Sequence, residues 1–247
     1  MHAAFLAYNK EAAMRISVVI PAYNEEKYLP QTLHSLDALT RKPDEIVVID
    51  GSSTDATARV AAAAGAKVVT VPKTTIGASR QRGLEEAAGD VVVFTDADTI
   101  VPDEWLTGIE RELGKPGIVA YFGGFRVPDG PAWYKFYINV LQPAGNMLLW
   151  WLFHFPMATG QYMAFYKSKA MEAGGFPVEF KLAEDVEMAR RMMRVGKIIY
   201  RQYTYVTASG RRGYEGFGKL MGRIPRAIFR YLFTGRADTI GFPDIRK

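Results

Sequence analysis

The chain has 247 residues, 49% of them hydrophobic, which suits one large folded domain, or a domain with an appendage, and excludes global disorder. It has no cysteine, and its three histidines (His2, His34, His154) are scattered, so disulfides and thiolate centres are excluded and a histidine-based zinc site has no support. The net charge of +5 is uneven: nine basic and three acidic residues lie between positions 206 and 247, an excess of +6 that points to an anionic partner such as a diphosphate, a membrane surface or nucleic acid.

Residues 1–13 lack the charged-then-apolar build of a signal peptide and are expected to be mobile, with Met14 an alternative start. Residues 16–20 read as a buried strand stopped by Pro21. Leu29, Leu33 and Leu36 then form a helical stripe. Residues 46–49 give a second strand ending at Asp50, and residues 55–64 a helix stopped by Gly65. A strand at 68–71 and a helix at 76–88 follow, the latter closed by Gly89. The fourth strand, V91-V-V-F94, runs into Thr95-Asp96-Ala97-Asp98. This alternation predicts a doubly wound α/β sheet, mostly parallel, with right-handed crossovers. Further on, residues 162–166 read as a strand, Gly174-Gly175-Phe176-Pro177 as a turn, and residues 184–195 as a helix capped by Gly196.

Parallel sheets bind ligands beyond the carboxyl ends of their strands. Asp96 and Asp98 sit at such an end, where two carboxylates repel unless a cation lies between them. Hard oxygen donors suit Mg2+ or Mn2+, and a metal there can clamp a nucleotide diphosphate. A solvated acidic turn would show the same two residues. The loops after the first two strands, PAYNEE (21–26) and DGSSTD (50–55), belong on the same edge. Asp50 can accept hydrogen bonds from a base and Tyr23 can stack on it. The stretch G77-ASRQR-G83 places two arginines where a helix start favours phosphate. Glu184 and Asp185 open the later helix, as caps or as a catalytic pair.

The ordered set IPAYNEE, VIDGSSTD, GASRQRG, TDAD, TGQY, GGF and AEDVEMARR, over roughly residues 14 to 213, resembles the family-two inverting glycosyltransferases of GT-A fold, a Rossmann-like, mostly parallel architecture. The resemblance implies a GDP- or UDP-linked sugar donor and Mn2+ or Mg2+. It assigns Pro21, Ala22, Tyr23, Glu25, Asp50, Ser52 and Arg80 to the donor nucleotide, Asp96 to the ribose and metal side, and Asp98 to the metal. Asp185 becomes the catalytic base. Arg82, Arg211 and Arg212 are assigned to the diphosphate, and Gly160, Gln161, Glu184, Trp150 and Trp151 to the acceptor. Cellulose-synthase-like relatives carry Gln-x-x-Arg-Trp near the place of Arg211-Arg212. That motif is absent here, so only a cationic role carries over, and a solvated basic turn remains the plain alternative.

Between Lys135 and Lys167 the chain has no Asp, Glu, Lys or Arg. Residues 136–155 are long enough to span a bilayer, but a single crossing would split the sheet, so helices lying in the interface are expected, with Trp133, Trp150 and Trp151 at headgroup depth. Ordinary core packing is the alternative. Phe217, Leu220, Met221, Ile224, Ile228 and Leu232 share one helical face, and Lys219, Arg223, Arg226 and Arg230 another, with Pro225 a potential kink. This fits anionic lipid headgroups. No nucleic-acid motif accompanies it.

The division expected is therefore a mobile extension (1–13), a nucleotide-sugar half (14–130), an apolar interfacial insertion (131–160), an acceptor and catalytic half (161–213) and a basic amphipathic segment (214–247). The expected function is hexosyl transfer to a lipid-linked, polyprenyl or dolichyl, acceptor at the cytoplasmic face of a membrane. A dolichyl- or polyprenyl-phosphate sugar synthase is the nearest alternative, although Ile100 stands where those enzymes often have glutamine. A nucleotidyltransferase would need a glycine-rich, lysine-bearing loop after the first strand, and Ala22-Tyr23-Asn24-Glu25 is not one. A non-enzymatic binding protein would have no need of Asp185.

Overall fold

The computed structural model describes residues 14–234. The expected N-terminal extension and the basic residues Arg236, Arg246 and Lys247 lie outside the described residues.

Strands β1 (Ile16–Ala22), β2 (Glu45–Asp50), β3 (Lys67–Thr70) and β4 (Val91–Phe94) form a parallel block in the order β3-β2-β1-β4. Strands β5 (Thr99–Ile100), β6 (Ile118–Arg126), β7 (Met163–Tyr166) and β8 (Lys197–Ala208) extend it to the eight-stranded order β3-β2-β1-β4-β7-β6-β8-β5. Here β7 runs antiparallel to both β4 and β6, and β5 antiparallel to β8, while β6 and β8 are parallel. The sheet is therefore mixed, and the mostly parallel expectation holds only for its first half. The physical reason lies in the connections. Regular strand–helix alternation ends at β4, and β6 then passes through the apolar helices into β7, which returns in the opposite direction.

The helices are α1 (Leu29–Asp37), α2 (Thr57–Ala63), α3 (Ile76–Glu86), α4 (Trp105–Leu113), α5 (Ala132–Phe136), α6 (Gln142–Phe153), α7 (Lys167–Glu172), α8 (Glu184–Val195) and α9 (Phe217–Thr234). A π-helical turn, Tyr137–Leu141, joins α5 to α6, and a 3-10 turn, Gly210–Glu215, precedes α9. Alternate residues of β1 feed two cores. Val18 and Ile20 pack with Leu29, Leu33 and Leu36 of α1 and with Trp105 and Ile109 of α4. Val19 packs on the other face with Leu84 of α3 and with Met188 and Met192 of α8. The sheet is thus covered on both faces, each such side chain stabilising the fold by about 1.5–3 kcal/mol.

Contrary to the sequence reading, Pro21 does not stop β1, which runs on to Ala22. The Val19 carbonyl accepts from Thr95 N at 3.2 Å, so by the alternation of a strand Pro21 faces the same side, beyond the last residue of β4. No partner there needs the missing N–H.

In α9, Leu220 is buried against Val127, Tyr134 and Ile138, and Tyr231 against Phe180, Ala183 and Val186. The helix is anchored on the protein at both ends, while Lys219, Arg226 and Arg230 are exposed. Helix α6 ends at His154, which adopts a left-handed conformation (φ 49°) in which its N–H bonds the Trp150 carbonyl at 2.9 Å. Among the described residues no helix is long and apolar enough to cross a membrane.

Candidate active site

The strand order reverses between β1 and β4, so the crevice outside their carboxyl ends is where this topology places a ligand. The loops after β1 and β2 are stapled to each other there. Asn24 N donates to Ser53 Oγ (2.9 Å), Thr54 N to Asn24 Oδ1 (2.8 Å), and Glu25 N to Thr57 Oγ1 (2.7 Å). Asn24 and Ser52 both hold positive φ, 52° and 60°. Asparagine tolerates this, serine less so, and such strain concentrates at functional sites. Asp50 is buried and accepts from Ser53 N at 3.2 and 3.3 Å. Tyr23 is half-buried with Lys73 Nζ 3.9 Å above its ring. Pro21 is half-buried and Ala22 buried beside them, whereas Ser52 is exposed and donates its hydroxyl to the Val71 carbonyl (2.8 Å).

Two arginines each grip one aspartate of the D-x-D pair. Arg80, 3% exposed, donates to Asp96 Oδ1 (3.0 Å) and to Glu184. Arg211 holds Glu25 with both guanidinium nitrogens (2.9 and 2.6 Å), lies 3.0 Å from Asp98 Oδ2, and covers the Tyr28 ring at 4.5 Å. Residues from β1, β4, α3, α8 and the 3-10 turn thus meet at one crevice. Pairing over such separations leaves no trace in local sequence, so the Arg211–Glu25 and Arg80–Glu184 contacts were not foreseen.

The structure redraws several expected placements. Arg80 and Arg82 lie inside α3, two residues and so about 200° apart. Arg80 is therefore turned into the site as a counter-ion. Arg82 lies on the opposite face, paired with Glu86 (2.6 Å), and is not at the crevice. Arg212 turns back to Glu215 at 3.2 Å. Gly160 is buried against Arg80 with no space for any side chain, which leaves it no surface to offer an acceptor. Gln161 is half-buried nearby in sequence. Trp150 packs on Tyr200 (centroids 5.2 Å), but Trp151 is 74% exposed, on the face away from that contact. Gly160→Ala should drive its Cβ into the Arg80 guanidinium and disturb both ion pairs. A loss of about 1–3 kcal/mol in urea unfolding is expected, as for overpacking elsewhere, and an unchanged midpoint would contradict this contact.

Helix α8 begins after Ala183, a non-glycine residue at φ 60°. That strained entry aims Glu184 and Asp185 inward at the helix N-terminus, where Asp185 Oδ1 accepts from Val186 N (2.8 Å). Burial pushes both carboxyls above the ordinary range; Glu184 is pushed further by Asp185, while Arg80 opposes the rise in both. Burial alone would lower the Arg80 pKa, but Glu184, Asp96 and Asp185 outweigh it and keep the guanidinium charged. Asp98 is pushed up to about 6 by burial, against the pull of Arg211. These are the shifts expected where chemistry needs a stronger base than a free carboxylate.

Among the described residues no group of three or more histidines and acids could hold a metal by itself. Asp98, with Asp96 beside it, offers one or two carboxylates. That donor set fits a hard divalent cation that takes its remaining ligands from diphosphate oxygens and water, and does not fit an all-protein cage.

Residues 17–185 match the model of glycosyl transferase family 2. The chain belongs to that family. Glucosyl-3-phosphoglycerate synthase of Mycobacterium tuberculosis (strain CDC 1551 / Oshkosh) is 38% identical over 111 residues, covering 40% of this chain and 34% of that protein. The 4,4'-diaponeurosporenoate glycosyltransferase of Staphylococcus haemolyticus (strain JCSC1435) is 40% identical over 101 residues, 38% of this chain and 27% of that one. The chain thus spans about a third of the length of these curated relatives. Among solved structures, the mannosyltransferase PcManGT from Pyrobaculum calidifontis, in complex with GDP-Man and Mn2+, superposes with a TM-score of 0.68 at 24% identity, over 92% of this chain and 66% of that one. Glucosyl-3-phosphoglycerate synthase from M. tuberculosis, in complex with Mn2+, UDP-Glc and phosphoglyceric acid, gives 0.63 at 22% identity, over 95% and 82%. At such identities these superpositions establish the GT-A fold of the family.

Proposed function

We propose that this protein is an inverting glycosyltransferase that moves a hexose from a GDP- or UDP-linked donor to a lipid-linked acceptor at the cytoplasmic surface of a membrane. The observation that carries the enzymatic reading is the ion-pair bridge through Arg80, which brings the D-x-D strand end and the start of α8 to one crevice. The nucleoside lies against Tyr23 and Asp50, both on the stapled β1 and β2 loops. A divalent cation at Asp98 would neutralise the charge of the departing diphosphate. Asp185 takes the proton from the acceptor hydroxyl as its oxygen attacks the anomeric carbon opposite the diphosphate, so the carbon inverts and the proton remains on the carboxyl. Its raised proton affinity favours that role. Arg80 keeps Asp96 and Glu184 in place and touches neither reacting atom.

The lipid part of the proposal rests on the insertion. Phe136, Val140, Leu141, Leu148, Trp151, Leu152 and Phe153 are all exposed on α5, the π turn and α6, the last of them at 69%. Such a run of exposed apolar surface marks a contact site, and the absence of any charge along it suits acyl chains. A second reading has its own support: relatives named glucosyl-3-phosphoglycerate synthase share 38% identity with part of the chain, which favours a small phosphorylated acceptor. Incubation with radiolabelled UDP-glucose and GDP-mannose, Mn2+, a membrane lipid extract and phosphoglyceric acid distinguishes the two. Label in the organic phase supports the lipid acceptor, and label confined to a water-soluble product overturns it.

Replacing Trp151 and Phe153 together by serine should reduce flotation with anionic liposomes several-fold while leaving the melting temperature unchanged, since both side chains are exposed. Residual flotation should be salt-sensitive, because Lys219 and Arg226 on α9 contribute about 1 kcal/mol each near such a surface. Equal flotation of both forms would remove the insertion as the contact.

A further inference from the structure

We propose that Arg211 competes with the divalent cation for Asp98, and so sets how tightly the site holds metal and couples metal binding to nucleotide binding. This inference rests on the reading of Asp98 as a metal ligand.

The geometry supplies the competition. The Arg211 guanidinium lies 3.0 Å from Asp98 Oδ2, at hydrogen-bonding distance from the oxygen that a bound cation would take. Two positive groups cannot share that oxygen in a poorly solvated crevice without strong repulsion. Arg211 also has another partner at hand: it grips Glu25 with two nitrogens, a planar fork-to-carboxylate pairing that remains intact if the contact with Asp98 is released. The movement required is therefore small.

The local chain permits it. Ser209 N donates to the Asp98 carbonyl (3.1 Å), and Gly210 N to Asp129 Oδ1 (2.6 Å), which pins the root of the turn to the D-x-D strand end and to the loop after β6. Beyond this root Gly213 is packed against Tyr134 and Pro131 and the turn ends at Gly216 (φ 94°), so the backbone stays in place and the exchange needs only a rotation of the Arg211 side chain. An incoming diphosphate would bring fresh negative charge within reach of a displaced guanidinium. Metal and nucleotide should then each raise the affinity for the other, as linkage requires when both draw on one exchange. Arg211 thereby becomes the switch partner of the metal, in addition to the diphosphate contact expected of it from the sequence.

The test is titration with free Mn2+ at pH 8, followed by electron paramagnetic resonance, for wild type, Arg211→Gln, Arg211→Lys and Asp98→Asn, each with and without UDP or GDP. Without nucleotide, Arg211→Gln should bind Mn2+ about tenfold more tightly than wild type. The gain in Mn2+ affinity caused by nucleotide should shrink correspondingly, and Arg211→Lys, which keeps charge but loses the fork, should fall between. Should Arg211→Gln fail to fold, shown by the loss of its melting transition, the lysine variant carries the same comparison. Equal or weaker Mn2+ binding by the Arg211 variants, while Asp98→Asn loses it, would overturn this inference and leave the metal reading standing. No Mn2+ binding by any form, even with nucleotide, would overturn both.

Discussion

Asp98→Asn is expected to abolish turnover, by at least about a thousandfold, and to remove its dependence on Mn2+ while the fold remains intact. Removing a single donor of transition-state charge stabilisation typically costs about 100- to 1,000-fold, and in the proposed site the lost group would also hold the cation. Stability should not suffer. The Asp98 carboxyl titrates at about 6 in the folded protein against 3.8 for the free group, so the fold binds this proton more tightly than the unfolded chain does. Between those two values stability falls as pH rises, and above about 6 the full penalty of a desolvated charge is present. Asparagine carries no such penalty, so at pH 7 the variant should melt at the same temperature as wild type or higher. The same shift fixes a pH dependence for the wild type. Below about pH 6 a metal must displace the proton, and Mn2+ affinity should weaken about tenfold per pH unit. Thermal melts and Mn2+ titrations between pH 5 and 8 read both effects. A variant that melts well below wild type at pH 7, or that turns over with normal metal dependence, would contradict this placement.

Asp185→Asn should lower the rate by at least about a hundredfold, the usual scale for loss of a general base. Donor binding should be almost unchanged, because Asp185 stands at the α8 entry and makes its hydrogen bond to Val186 N, away from the β1 and β2 loops. The amide removes a buried negative charge whose protonation burial already favours, so the fold should tolerate it. Single-turnover rates and donor affinity, measured separately, check this. A rate within a few-fold of wild type would mean that the acceptor is already anionic, as a phosphate would be, or that another group takes the proton.

The parallel half of the fold was legible because its strands are short apolar runs ended by glycine, proline and aspartate. Residues 184–195 were read as a helix and form one with those bounds. The long strands β6 and β8 were not read. Five of the twelve residues of β8 are exposed, Arg201, Tyr203 and Tyr205 among them, so it lacks the apolar continuity that marked β1 and β4. The antiparallel return of β7 depends on where the apolar insertion leads the chain, which no local pattern encodes. At the site, the acids were legible from strand ends and a helix start. The roles of the arginines were not. Arg80 looked like a phosphate ligand because it lies near the start of the helix read at 76–88, yet helical spacing alone would have separated Arg80 from Arg82. The Ala183 conformation and the Tyr231 packing beneath it carry no sequence signal of the kind a glycine would have given.

The proposed metal-assisted nucleotide-sugar site is built on Asp98, Tyr23 and Asp50. Calorimetric titration with UDP-glucose and GDP-mannose, with and without Mn2+, for wild type and Asp98→Asn, tests it most directly. Wild type should bind one of the two donors, Mn2+ should strengthen this at least tenfold, and Asp98→Asn should lose the metal effect while keeping weak nucleotide binding. Binding of neither donor, or donor binding indifferent to both Mn2+ and the Asp98 substitution, would contradict it.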